Sequence, residues 1–298
     1  MTMDNGTCGT IPALIVTDLD GTFLTDEKTV PQKNIQAIKS LKNIGVSVFF
    51  CTGRPISFVE KYVKSAGASS LVIGGNGAII RNIFTGESIF QQCFEKETQK
   101  RVLEFCFAQG FDTLAYTPNG DVYFSNESKR VRVFTEYNDS LQDSSISKVR
   151  LFPLKKLMEN VDSVPIYKVL VTERSIGSQA AEVRKNDLAG LNHFLGTMSA
   201  VYAVPSMADV VDIMAQGVSK GKAVAQLAEY LGVPLSRVGV IGDNKNDIPM
   251  FQIAGKSVCM SNGNEEAKKM ADWITSDSND EAGFAEAIDW LRTALNLE

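Results

Sequence analysis

A chain of 298 residues, 44% hydrophobic and 22% charged, is long enough for two domains and lacks the composition of a disordered or fibrous protein. Its net charge of -5, without a clustered Lys/Arg face, speaks against a nucleic-acid partner, while a small anionic substrate stays compatible because a few fixed cations or one divalent ion can reverse the local potential. Five cysteines without a C-x-x-C pair, among them Cys8 and Cys51, lead to an expectation of reduced thiols, and the lack of an apolar leader in 1–10 or of any run of membrane-span length leads to an expected cytoplasmic location.

Residues 13–17 read as a buried strand, followed by a helix over 31–43 whose Ile35, Ile38 and Leu41 share one face and whose stop is Gly45. A second strand over 46–51, a helix over 55–66 closed by Gly67 and a third strand over 71–74 continue the alternation of a parallel sheet wound with right-handed crossovers. From about Thr85 the rhythm changes to helices mixed with hairpin-like strands, including 113–117 and 121–125 around the turn Pro118-Asn119-Gly120. A strand over 166–172, a helix over 178–188 and strands within 196–204 and 208–214 complete this segment. The parallel α/β rhythm then returns with a helix over 219–231, a strand over 238–241, a helix over 247–254, a strand over 257–260 and helices near Glu265 and Glu281. The expected division is a core in two parts, 1–84 and 215–298, split by an inserted α+β domain over 85–214.

Three core strands end in polar residues, at Asp18, Thr52 and Asp243, and in open parallel sheets ligands bind outside the carboxyl ends of the strands. The first end reads Asp18-Leu19-Asp20-Gly21-Thr22, with two carboxylates at spacing two entering a glycine-hinged turn. One carboxylate can attack phosphorus while the other protonates the leaving alcohol and later activates water, which suits a chain whose one histidine is His193. Asp18 is therefore the expected nucleophile and Asp20 the acid/base, although an isolated D-x-D-G-T is equally consistent with a capped turn. A metal is expected too, because a carboxylate approaching a phosphate meets like-charge repulsion that a bridging divalent cation relieves. Magnesium takes a few carboxylates plus water and phosphate oxygens, and Asp18, Asp20 and Asp243 are the expected set.

Asp247, at a helix start, is expected either to favour the helix dipole or to orient the metal ligands from behind. Thr52 and Gly53 offer a hydroxyl and an approachable amide to phosphate, or make an ordinary turn. Lys220 opposes a helix dipole at a predicted amino terminus, a placement that suggests a charge-neutralising role. Gly217 to Lys222 lacks P-loop spacing, and Gly74-Gly75-Asn76-Gly77 lacks the third glycine of a dinucleotide fingerprint. Sequons at Asn5, Asn126 and Asn138 are expected to be chance matches, given the expected cytoplasmic location.

Asp18-Leu19-Asp20-Gly21-Thr22, Thr52-Gly53-Arg54, Ser219-Lys220-Gly221 and Gly242-Asp243-Asn244-Lys245-Asn246-Asp247 resemble the four ordered motifs of the haloacid dehalogenase superfamily. With Gly75-Asn76-Gly77-Ala78 and Met260-Ser261-Asn262-Gly263, the chain looks like its Cof-like subfamily IIB phosphatases. The resemblance implies a Rossmann-like α/β core with an inserted type C2 cap that selects substrate. It implies Mg2+ held by the side chains of Asp18 and Asp243 and the backbone carbonyl of Asp20, and it sets Thr52, Lys220 and Asn246 on the phosphate. Arg54 and Asn76 are candidate substrate contacts. Phe23 stands where leucine is common, and Pro249 lies inside the fourth motif's helix; neither touches the chemistry.

The leading expectation is a magnesium-dependent phosphatase of small phosphate esters, sugar phosphates by analogy, acting as a monomer or weak homodimer. The alternatives are a phosphomutase of the phosphomannomutase type, for which Arg130, Arg132 and Arg150 keep the option open, and a non-catalytic phosphate sensor, against which the intact Asp20 argues.

Overall fold

The computed structural model describes residues 13–125, 128, 130–172, 181–207 and 210–297. Cys8, the sequons at Asn5 and Asn126, the leader region 1–10 and the ends of two expected elements, 178–180 and 208–209, lie outside them. The chain forms two compact units: one runs up to Cys51 and includes Tyr62–Ser69 and the stretch from Lys220, the other comprises Thr52–Lys61 and Ser70–Ser219.

The first unit holds a five-stranded parallel sheet in the order Trp273–Ile274, Lys256–Cys259, Val238–Gly242, Leu14–Thr17, Ser47–Phe50. Its central strands are runs such as Leu-Ile-Val-Thr with every residue buried, as expected of parallel strands covered on both faces. Helix Gln32–Asn43 packs against helix Gly283–Ala294. Phe23 fills the space beneath, with its ring 4.9 Å from those of both Phe50 and Phe284; the phenyl in place of leucine is a packing choice. Leu14–Thr17 lies between Val238–Gly242 and Ser47–Phe50, pairing Thr17 with Ile241 and with Phe50. The segments that follow these strands therefore emerge side by side at one end of the sheet.

Residues 71–74 depart from expectation. They form a strand, Leu71–Gly74, but it pairs antiparallel with Ile79–Asn82 in a three-stranded sheet with Ser88–Gln91 in the second unit. The cause is local: Gly75, Asn76 and Gly77 have φ of 58°, 60° and 99°, and three successive left-handed residues turn the chain straight back. The expected helix over 55–66 is a 3-10 turn, Ile56–Phe58, followed by a helix, Glu60–Ala66. The helix expected over 247–254 is short, Ile248–Phe251, and Pro249 sits in its first turn, where a missing N–H is harmless. The edge strand Trp273–Ile274 has two residues, too few to leave a periodic signal.

The second unit also contains a six-stranded sheet in the order Val201–Met207, Val210–Ala215, Lys168–Thr172, Asp112–Tyr116, Val122–Phe124, Leu151–Pro153. All pairs are antiparallel except Val122–Phe124 with Leu151–Pro153. Helices Lys96–Ala108, Val131–Ser140 and Ala181–Gly196 belong to the same unit. His193 is exposed near the end of the last of these.

Candidate active site

Four charged side chains of the first unit meet at the carboxyl end of its sheet. Asp18 continues the central strand, its N–H donating to the Ile241 carbonyl at 2.9 Å. The residue is only 6% exposed: Oδ1 accepts from the Leu19 N–H at 2.7 Å, and Oδ2 faces Lys220 Nζ at 2.9 Å. Lys220 opens helix Lys220–Leu231 and is 1% exposed. Its ammonium also donates to Asp247 Oδ1 at 2.6 Å. The second oxygen of Asp247 accepts from the N–H groups of Asp243 and Asn244, both at 2.9 Å. Asp243, at the end of Val238–Gly242, accepts from Thr22 Oγ1 at 3.0 Å. Asp18, Asp243 and Asp247 can each direct one oxygen to within 4.8 Å of the others.

Glycines permit this approach. Gly21, at φ 73°, lies so close to Asp243 that a Cβ would stand 2.5 Å from Oδ2, and its carbonyl is held by Asn262 Nδ2 at 2.9 Å. A Cβ on Gly221 would come within 2.1 Å of the Pro249 carbonyl. The glycine after Lys220 thus serves packing of the helix start against the segment after Asp247.

Three carboxylates against one ammonium leave a surplus of buried negative charge. Burial pushes the Asp18 carboxyl well above its usual range, with Lys220 opposing and Asp247 and Asp243 reinforcing. Asp243 is pushed up to about 7, first by burial and then by Asp247, against Lys220 and the Thr22 hydroxyl. Burial alone would depress Lys220, but Asp18 and Asp247 more than offset it, and its pKa is raised. An all-oxygen donor set with excess negative charge fits a hard divalent cation such as magnesium.

Asp20 differs. Its Oδ1 pairs with Lys28 Nζ at 2.9 Å, with side chains 38% and 48% exposed respectively, so its carboxylate is not one of the three that converge. The third converging carboxylate is that of Asp247, for which the sequence left a dipole role and a ligand-orienting role open. Asn246 is half-buried in the 3-10 turn Lys245–Asp247.

Thr52, Gly53, Arg54 and Asn76 meet within the second unit. Thr52 Oγ1 accepts from the Arg54 N–H at 3.1 Å, and the Thr52 carbonyl accepts from the Asn76 N–H at 3.0 Å. A Cβ on Gly53 would stand 2.8 Å from Asn76 Oδ1. This group continues into a pair that the sequence reading missed. Lys168 Nζ donates to the Gly53 carbonyl at 2.9 Å and to Asp212 Oδ2 at 2.6 Å. The available signal was a charge inside an apolar strand, as in Val210-Val211-Asp212-Ile213-Met214. Of the arginines that kept a mutase open, Arg132 pairs with Glu136 and Arg150 with Asp121, each at 2.6 Å. Among the described residues no helix is long and apolar enough to cross a membrane.

A family model described as haloacid dehalogenase-like hydrolase matches residues 15–288. The chain is 25% identical to the 5-amino-6-(5-phospho-D-ribitylamino)uracil phosphatase YitU of Bacillus subtilis, over 93% of this chain and 96% of that protein. Its fold superimposes on a haloacid dehalogenase-like hydrolase from Bacteroides thetaiotaomicron with a TM-score of 0.77 at 23% identity, covering 94% of this chain and 99% of the other. A subclass IIB sugar phosphatase of the same superfamily gives a TM-score of 0.73 at 20% identity, covering 93% and 98%.

Proposed function

The chain belongs to the haloacid dehalogenase-like hydrolases, and from that premise we propose that it is a magnesium-dependent phosphatase of small hydroxylated phosphate esters, with Asp18 as the nucleophile. The observation that carries this reading is the Asp18 carboxylate at the end of the central strand, with Lys220 at 2.9 Å and Asp243 and Asp247 beside it. The substrate class draws on relatives whose names specify a ribityl phosphate and sugar phosphates.

In this mechanism the Leu19 amide and the Lys220 ammonium hold the two Asp18 oxygens, so the carboxylate is oriented before an ester arrives. Asp18 and Asp243, with the Asp20 carbonyl, would hold the magnesium ion, which when bound offsets the repulsion between carboxylate and phosphate. Asp18 attacks phosphorus and becomes an aspartyl phosphate as the alcohol leaves. Asp20 gives that alcohol a proton, then takes one from the water that hydrolyses the acyl phosphate. The pair of Asp20 with Lys28, exposed as it is, itself contributes about 1 kcal/mol or less. Lys220 balances charge throughout, and Thr52, Gly53 and Asn246 are assigned to the phosphoryl oxygens. Arg54, Asn76 and the inserted segment 85–214 are assigned to the organic group, with Asp247 holding Lys220 and the Asp243 loop in position.

Phosphate release from p-nitrophenyl phosphate tests the proposal. Release is expected with magnesium and should be lost on chelation; no release in either condition defeats the reading.

A further inference from the structure

A cavity of about 410 Å3 is built wholly from residues of the second unit. Its wall combines Ile56, Ser57 and Glu60 with the strand end and turn around Arg81–Gly86 and the loop that carries Lys148 and Arg150. It shares no residue with the group around Asp18. Within the hairpin of Leu71–Gly74 and Ile79–Asn82, the turn that holds Asn76 joins the paired Gly74 and Ile79, while Arg81 pairs with Val72 toward the other end.

Among the described residues three cations line this cavity, and they are not equally satisfied. Arg150 pairs with Asp121 at 2.6 Å. Arg81 donates to the Pro118 carbonyl and, among the described residues, pairs with no carboxylate; burial works against its charge, with Tyr167 opposing. Lys148 likewise forms no ion pair among the described residues. It is nevertheless held in place. The Ser147 N–H donates to Glu60 Oε2 at 3.2 Å and the Val149 N–H to Asn138 Oδ1 at 2.8 Å, so the backbone on both sides of the lysine is fixed while its charge is left unanswered.

Two further features point to a ligand. Ser57 Oγ is buried and has no partner among the described residues, and unmet polar groups of this kind in native proteins call for a reason. Gly86, at φ 76°, leaves room for the guanidinium: a Cβ there would stand 3.0 Å from Arg81 Nη2. Ile56, Ile83 and Phe84, the last 54% exposed, add apolar surface to the same wall, the mixture expected of a small-molecule site.

We propose that this cavity is a second, non-catalytic binding site for a phosphate dianion, either free phosphate or the end of a small phosphate ester. Two cations without acids match two negative charges, whereas a single carboxylate would leave one cation unanswered. The tetrahedral group also keeps oxygens to accept from the Ser57 hydroxyl. This inference goes beyond the phosphatase reading and does not depend on it.

The test is calorimetric titration in chelator, where the surplus of carboxylates around Asp18 repels anions, with inorganic phosphate, adenosine monophosphate and succinate as probes. Saturable binding of phosphate or of the nucleotide is expected, and Arg81→Gln should weaken it by about tenfold or more. Lys148→Gln, at an exposed position, should weaken it too and serves if the arginine variant fails to fold. Asp18→Asn should leave the affinity unchanged. Tighter binding of the nucleotide than of phosphate would assign the site to an ester, and equal binding to free phosphate. The proposal is overturned if neither phosphate probe binds, if the folded variants at Arg81 and Lys148 bind as the wild type does, if Asp18→Asn alters the affinity, or if succinate binds more tightly than both.

Discussion

Both units bury a lysine among carboxylates, but the two sites balance their charge differently. In the first, one ammonium faces Asp18 and Asp247, with Asp243 adjoining; in the second, Lys168 faces Asp212 alone, with the Asn76 amide as an added donor. The surplus of the first suits a cation. The second is close to neutral, one ammonium against one carboxylate.

The comparison breaks most severely at Asp18. Asp18→Asn keeps the shape and removes the attacking oxygen, so turnover of p-nitrophenyl phosphate should fall by about three orders of magnitude or more; activity within tenfold of the wild type would remove Asp18 from the nucleophile role. Next in size is Lys220→Met, which leaves buried carboxylates without their cation and should cost about 3–5 kcal/mol of stability by urea unfolding in chelator, part of it recovered with magnesium. A loss unaffected by magnesium would mean that the surplus charge is not what the metal answers.

A smaller effect sharpens the contrast through pH. Asp243 goes from an ordinary value of 3.8 to about 7 in the folded protein, so between those limits the metal-free folded state holds a proton that the unfolded chain has released. Its contribution to stability is therefore present at low pH and falls as pH rises from about 4 to about 7, and Asp18 shifts in the same direction. Magnesium bound to the ionised carboxylates offsets that loss. The difference in thermal midpoint between magnesium and chelator should widen as pH rises through this window, corresponding to about 1–3 kcal/mol at saturating metal. A gap that stays constant with pH would contradict the assignment.

Much of this was legible in the sequence, for physical reasons that differ from residue to residue. Asp18 and Asp243 announce themselves because each follows an apolar run that ends abruptly in a carboxylate, and Lys220 because it opposes its helix dipole. Asp247 was harder to read: a carboxylate in the first turn of a helix has a local role that masks its long-range bond to Lys220. Residues 71–74 carry the apolar content of a strand but not its direction, which Gly75, Asn76 and Gly77 set through their backbone angles. Lys168 and Asp212 lie 44 positions apart on adjacent antiparallel strands. They are diagonal neighbours, since Asp212 is opposite Leu170 and Met214 opposite Lys168. Only strand register reveals such a pair.

Asp247 has one further consequence. Its two oxygens tie the Lys220 ammonium to the amides of Asp243 and Asn244, linking a helix start to a loop through a single side chain. The conformational freedom of both segments is therefore surrendered once, when the chain folds, and not again in each turnover. On the proposed mechanism an arriving ester would meet a lysine and a loop already ordered, so less of its binding energy would be lost to immobilising them.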